Sequence, residues 1–503
     1  MVKRKIIYPA IILVICILGW LGPLWAEEVK MPPKSKSAPE PEKREIFDKR
    51  FLGSGIDFET EKKANKTEQS SNSANFAYGR FQSSLYDIFQ SSRTDSFYYT
   101  LLINVEDSNG ERPNSFYTRT QPAFKVGVLL DEENELIFKT SYFEKTMGLP
   151  GTFSARTLGS ERKNYNFRLS SQFMHTSLDK QIVFEPYHEG SALNDNLQRE
   201  DFRNTISGAK VGVDIEGNTL NINLYERQLE HYYRQTILDS QFKLKPLDLS
   251  DRWQMSYGGS IFCQEEFGQR LAPFLEVIFH VNEQCSHKLR FNRDFEPVVF
   301  NRTYLEENYL EVNPQAVRPK RRLNTAYHFD NYISPEWRMS VIAYFMQERD
   351  YWFLEDLDAD GLYAPSYVKQ VNFTGFKFAT EYSWTESFSN FFSLNVRAVK
   401  SKDENYEVIP LLPKQEVSLG FSYKIDKVKF DIVGDYFGRR YQEVNSKETF
   451  NAYFLMHSKL NYEVKDYLTI FILVDNLLND HYEIVKGYPN QSRNTMAGIK
   501  LKF

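Results

Sequence analysis

The sequence predicts an all-β chain whose strands close into a transmembrane antiparallel β-barrel of about 20–22 strands, within a range of roughly 16–22. Three observations carry that expectation. Mean hydropathy is low, at −0.52, although aromatics make up 15% of the chain, with 31 Tyr and 40 Phe. Long stretches alternate apolar with polar residues, and the chain stops on an amphipathic run ending in Phe503. A wall that meets lipid on one face and water on the other needs few consecutive apolar residues and places aromatic girdles at both interfaces. A soluble β-sandwich alternates in the same way, so the loop pattern must separate the two.

The first element reads as an export signal. Lys3, Arg4 and Lys5 form a basic head, Ile6 to Trp20 an apolar stretch, and Leu24-Trp25-Ala26 a small-residue exit before Glu27-Glu28. That order predicts a signal peptide over 1–26, cleaved after Ala26. No internal run supplies the ~20 apolar residues of a spanning helix. Residues 27–50 are rich in Pro, Lys and Glu (Met31-Pro32-Pro33-Lys34, Ala38-Pro39-Glu40-Pro41). Such a composition cannot bury a core and predicts a periplasmic linker. The barrel is expected from 51 to 503, with 51–60 and 76–90 adding one further hairpin.

The C-terminal half shows the period most plainly. Val417, Leu419, Phe421 and Tyr423 alternate with Ser418, Gly420, Ser422 and Lys424. After the turn Ile425-Asp426-Lys427, Val428, Phe430, Ile432, Gly434 and Tyr436 share one face, opposite Lys429, Asp431 and Asp435. Short turns near Pro335, Glu386, Asp426 and Lys465-Asp466 alternate with long polar loops at 401–414, 441–449 and 478–491. Short turns on one side and long loops on the other favour a barrel over a sandwich. With Phe503 at the periplasmic rim, those turns are periplasmic and those loops external. Further strands are expected near 322–332, 286–296, 268–281, 252–262, 240–249, 218–231, 205–215, 180–190, 163–174, 134–144, 122–130 and 96–106. This register puts Cys263 and Cys285 at opposite rims, too far apart to bridge.

The closing residues carry an independent signal. Ala497, Ile499, Leu501 and Phe503 alternate with Gly498, Lys500 and Lys502, an amphipathic strand ending on an aromatic. It resembles the signal read by the outer-membrane barrel assembly machinery, with Ile499, Leu501 and Phe503 as the residues read.

Tyr467 to Tyr482, with Val474-Asp475-Asn476-Leu477-Leu478-Asn479 at its centre, followed by Gly487-Tyr488-Pro489, resembles the last hairpin of TonB-dependent receptors. Asn109–Asn114, Met147–Gly151, Phe291–Pro297, Glu311–Gln315 and Arg318-Pro319-Lys320 are similar to loops of that family at matching points. Asn490-Gln491-Ser492-Arg493 departs from the family's Pro-Gly-Arg. The resemblance implies an outer-membrane receptor barrel, but the family's plug of well over a hundred residues has no room here. Only roughly 25 to 50 residues separate the signal peptide from the barrel, and no TonB-contacting segment is recognisable in 27–50.

Function is therefore expected to be transport-related: a porin-like channel, or the barrel half of a split receptor for small solutes with a plug protein in trans. The alternative is a sealed surface-binding or scaffold barrel. An enzyme is not expected, because His188, His231, His328 and His457 stand in no recognisable nucleophile or carboxylate setting. A net charge of −5 gives no nucleic-acid footprint. Two local clusters are candidate sites. Asp356, Asp358 and Asp360 before Gly361 open like a calcium loop, but the twelfth position is Tyr367 rather than Glu. An acidic solvated loop is the more economical reading. Arg318, Lys320, Arg321 and Arg322 could hold lipopolysaccharide phosphates or an anionic solute, or form a wet rim. Expected partners are outer-membrane lipid, lipopolysaccharide and the assembly machinery.

Overall fold

The computed structural model describes residues 70–152, 156–157, 159–196, 200–230, 233–265, 268–296, 320–356, 363–403, 406 and 408–503. The signal peptide, the linker and segment 51–60 lie outside these residues.

Antiparallel strands follow one another around a ring. The first hairpin is β1 (Ser70–Gly79) and β2 (Ser84–Arg93), joined by a 3₁₀ turn at Arg80–Gln82. Next come β3 (Phe97–Ser108), β4 (Tyr117–Leu129), β5 (Asn134–Gly148), β6 (Glu161–Thr176) and β7 (Lys180–Asp195). Then follow β8 (Glu200–Ile215), β9 (Asn218–Leu229), β10 (Tyr233–Lys243), β11 (Leu247–Ser250), β12 (Trp253–Gln264) and β13 (Gly268–His280). The middle of the chain gives β14 (Cys285–Glu296), β15 (Lys320–Ser334), β16 (Trp337–Glu355), β17 (Ala364–Thr385) and β18 (Phe388–Ser401). The last part gives β19 (Gln415–Ile425), β20 (Val428–Phe437), β21 (Arg440–Tyr441), β22 (Thr449–Phe450) and β23 (Tyr453–Lys465). It ends with β24 (Leu468–Asp475), β25 (Glu483–Val485), β26 (Tyr488–Pro489) and β27 (Asn494–Lys502).

The main sheet closes where β27 pairs with β1, with Ile499 opposite Phe76. Four-residue β11 only prolongs the β10 position along β12, so the closed wall has 22 strands. The pairs β21–β22 and β25–β26 lie in loops. This is the expected all-β transmembrane-type barrel.

The alternation sorts side chains as the sequence predicts. On β19, Leu419, Phe421 and Tyr423 are 40%, 38% and 45% exposed on the outside, while Ser418 turns inward to donate a hydrogen bond to Asp435 on β20. Outward aromatics cluster at the short-turn end: Trp253 with Phe279, and Trp337 and Trp384 around Tyr382. These rings are apolar bodies with polar tips, suited to a membrane interface. Turns at that end are tight. Between β8 and β9, Glu216 and Gly217 both take positive φ (49° and 86°), as a two-residue hairpin requires.

One strand differs from expectation. In place of 240–249 the wall uses Tyr233–Lys243, and only Leu247–Ser250 pairs beyond it. The alternation Leu247-Asp248-Leu249-Ser250 looks strand-like but continues across Pro246, whose missing N–H breaks the ladder. The first hairpin falls at 70–93, so 76–90 contributes parts of both its strands. Cys263 and Cys285 sit at opposite ends of their strands, and both thiols are free.

Candidate functional site

The inner face below the long loops is polar. Asn75, Asp87, Asn104 and Gln121 stand side by side across β1 to β4, with Lys500 of β27 beside Asn75. Asn104 donates to Asp87 at 2.5 Å, and Arg119 meets Glu106 at 2.6 Å. Across β6 and β7, Arg168 lies 3.3 Å from Glu185 and 4.9 Å above the Tyr187 ring, whose hydroxyl donates to Asn223 at 3.0 Å. Nearer the long-loop end, the Arg162–Asp195 pair, at 2.7 Å, is almost wholly buried. These polar, hydrogen-bonding groups share the inner wall with an apolar cluster in which Tyr225, Ile237 and Phe262 pack on Tyr187.

The candidate basic cluster is divided by strand geometry. Neighbouring residues of a strand point to opposite faces, so Arg322 turns into the lumen and Arg321 turns outward. Arg322 meets Glu348 at 2.9 Å, and Arg321 grips the Asp350 carboxylate through both Nε and a terminal nitrogen. Lys320 stands opposite Glu296 in the β14–β15 register. Arg318 lies outside the described residues, as do Asp358 and Asp360. Asp356 ends the described part of its loop. Among the described residues, no group of three or more His, Cys, Asp or Glu side chains is placed to hold a metal. Ile499 and Leu501 face outward on β27, and the Phe503 backbone N–H donates to the Asn72 carbonyl at 3.1 Å.

The long-loop end holds what sequence patterning did not reveal. Two buried apolar clusters form there. One joins Leu193, Phe202 and Leu229 of β7, β8 and β9 to Tyr363, Val485 and Tyr488, with Leu354 and Leu411 against it. The other joins Phe353, Val368, Val371, Phe373 and Ile409, with Tyr406 and Val444 packed on it. Seven strand steps separate β8 from β16. At ~4.8 Å per strand and ~40° of tilt, that is roughly 40 Å of wall. Residues so far apart on the ring touch only because the loops reach inward over the mouth.

The loop 476–493 is the hub of these contacts. Its base is organised by the asparagines of the receptor-like motif. Asn476 takes positive φ, donates to the Asp480 carbonyl at 2.9 Å and accepts from the Asp480 N–H at 2.9 Å. Asn479, also at positive φ, accepts from the Arg493 N–H at 2.8 Å. Tyr482 stacks on Tyr453 at 4.3 Å, and burial pushes its hydroxyl up to about 12. Beyond it the β25–β26 hairpin turns at Gly487, whose φ of 80° favours glycine and whose backbone lies close to Thr152. The hub is also tied to three other loops. The Ser492 N–H donates to Glu111 at 2.7 Å, Lys486 pairs with Glu443 at 2.8 Å, and Arg440 donates to the Glu483 carbonyl. Tyr363 joins it through the shared apolar cluster, and burial raises its hydroxyl above the ordinary value. Beneath the hub, Arg112 reaches the Gly151 carbonyl, and burial lowers its guanidinium from the ordinary value.

No protein-family model and no curated protein matches the chain. Solved structures do. The FrpB iron transporter from Neisseria meningitidis superposes with a TM-score of 0.69 at 12% identity, covering 87% of this chain and 82% of that one. The copper transporter OprC gives 0.69 at 11% identity, covering 86% and 80%. The siderophore receptor PirA from Acinetobacter baumannii gives 0.69 at 10% identity, covering 87% and 81%. At such identities the likeness is one of fold. The chain has the 22-stranded outer-membrane barrel fold of TonB-dependent receptors, and its described residues belong to that wall and its loops without adding a plug domain.

Proposed function

We propose that this protein is the barrel component of a gated pathway for small solutes across the outer membrane, with any plug or coupling element supplied by another chain. One observation carries the reading. The Glu483–Pro489 hairpin packs Val485 and Tyr488 against both sides of the mouth, above a lumen wall lined with polar and charged groups. A permanently open pore has no use for a buried apolar core across its entrance. An iron transporter, a copper transporter and a siderophore receptor among the structural neighbours support the same direction.

The test is conductance of the purified protein in planar bilayers, for wild type and Val485→Asp. A buried charge without a partner is costly enough to unseat the hairpin. The expected result is a quiet wild type and a variant with large, frequent openings. A wild type that conducts steadily at full barrel width would overturn the gated reading in favour of a simple porin. If the correctly folded variant stays silent, the sealed surface-binding barrel takes its place.

A further inference from the structure

On the inner face of β4 and β5 two lysines stand face to face. Phe124 and Phe138 are exposed on the outside of these strands, so Lys125 and Lys139, next to them in sequence, turn into the lumen. They form one rung of the β4–β5 ladder, and side chains so opposed start from Cβ atoms ~5 Å apart. Among the described residues neither is in an ion pair. The Lys125 ammonium lies 5.3 Å above the Tyr98 ring, and Lys139 donates to the Gln172 side-chain oxygen at 2.5 Å. Arg168 and Lys210 lie 4.9 and 5.4 Å from the Tyr187 ring, and both are charged neighbours of Lys139.

The nearby carboxylates are engaged elsewhere. Glu185 pairs with Arg168 and stands opposite Lys210, Glu189 also stands opposite Arg168, and Glu135 accepts from the Tyr98 hydroxyl. A cation resting on an aromatic face keeps its full charge, so the lysine rung is left repelling itself. A doubly charged anion between the two ammonium groups replaces that repulsion with charge-assisted hydrogen bonds. The Gln172 amide NH2 can donate to the same anion.

The height of the rung separates it from the lipid and from the mouth. Lys125 is four residues above Leu129, at the short-turn end of β4. At ~3.4 Å per residue and ~40° of tilt it stands roughly 10 Å up the lumen, well below the hub. Six residues nearer the mouth in the same ladder, Arg119 faces Lys145, about 16 Å higher by the same measure. An anion released beneath the hub therefore meets one cationic rung before it reaches the lysines.

We propose that the Lys125–Lys139 rung is a binding site inside the lumen for a compact dianion, of the charge and size of phosphate or a short dicarboxylate, and that it sets the charge sign of the solute. The proposal rests on the gated-pathway reading and adds the solute class to it.

Two measurements test it. The first is calorimetric titration of the full-length protein in zwitterionic micelles with inorganic sulfate, a dianion throughout the working pH range, for wild type and Val485→Asp. Saturable binding is expected, about tenfold weaker in K125Q or K139Q and roughly a hundredfold weaker in the double variant. K377Q, which removes another lumen lysine lying 5.6 Å over a ring, should bind as wild type does, and chloride should compete weakly. Heat-modifiable migration checks folding, and the single variants serve if the double variant does not fold. No sulfate binding by either parent would overturn the proposal, as would equal binding by K125Q/K139Q, equal loss in K377Q or equal competition by chloride. The second measurement is the reversal potential of Val485→Asp in a potassium chloride gradient. Anion selectivity is expected, shifting toward cations when K125E/K139E is added, and an unchanged reversal potential would overturn the assignment of charge sign. The two readings fail separately. A silent Val485→Asp with intact sulfate binding removes the gate and leaves the site, whereas large openings without sulfate binding remove the site and leave the gate.

Discussion

At the residue scale, charge burial makes the clearest demands. Arg162 and Asp195 are almost fully withdrawn from solvent at the outer ends of β6 and β7. Removing one partner strands the other charge, so Arg162→Met should cost about 3–5 kcal/mol, and adding Asp195→Leu should recover much of it. Urea unfolding in detergent micelles reads both. Asp131 behaves differently. It caps the β4–β5 turn by accepting from the N–H groups of Glu133 and Asn134, at 2.9 and 2.8 Å. Hydrogen bonding, first from the Asn134 side chain, lowers its carboxyl below the ordinary 3.8. A depressed folded-state value means that the stabilisation is fully present above 3.8 and is lost as pH falls through the lower folded value. The urea midpoints of wild type and Asp131→Ala should therefore differ most at neutral pH and draw together below that value.

At the scale of the element, aromatic rings lie over glycines on neighbouring strands. Gly420 stands opposite Phe391 and Gly375 opposite Tyr344, and a Cβ at either would fall 2.0 or 2.3 Å from the ring. Gly420→Ala should destabilise the β18–β19 pair by about 1–3 kcal/mol through overpacking, read as a lower urea midpoint with the barrel otherwise folded. For the last strand, deleting Phe503 is expected to reduce assembly in the membrane several-fold while leaving the protein refoldable in detergent. Heat-modifiable gel migration of membrane fractions and of refolded protein separates the two effects. Strands of this kind were legible because a period of two is local: Leu419, Phe421 and Tyr423 declare their face within five residues. The 240–249 segment misled because Leu247 and Leu249 keep that period across a proline that cannot donate to the ladder.

At the scale of the whole molecule, the mouth was not legible, and the reason is distance along the chain. Val485 and Tyr488 pack on Leu193 and Phe202, and nothing periodic in a loop announces a partner almost three hundred residues away. The motif residues Asn476, Asn479 and Gly487 gave a resemblance, and only the fold shows that they shape a hub for other loops. The division of Arg321 from Arg322 is a similar case, since adjacent letters in the sequence end on opposite sides of a wall.

The seam between β1 and β27 has a bearing on how such a wall comes to exist. It is held by seven register pairs, against eighteen between β16 and β17, and it joins residues more than four hundred positions apart. Every other ladder of the wall joins strands that follow one another along the chain. Until β27 docks, β1 presents a row of unsatisfied N–H and C=O groups with which any passing strand can pair. The ring is thus only as safe as the escort that guards its first edge, and its longest-range join is the one that closes it.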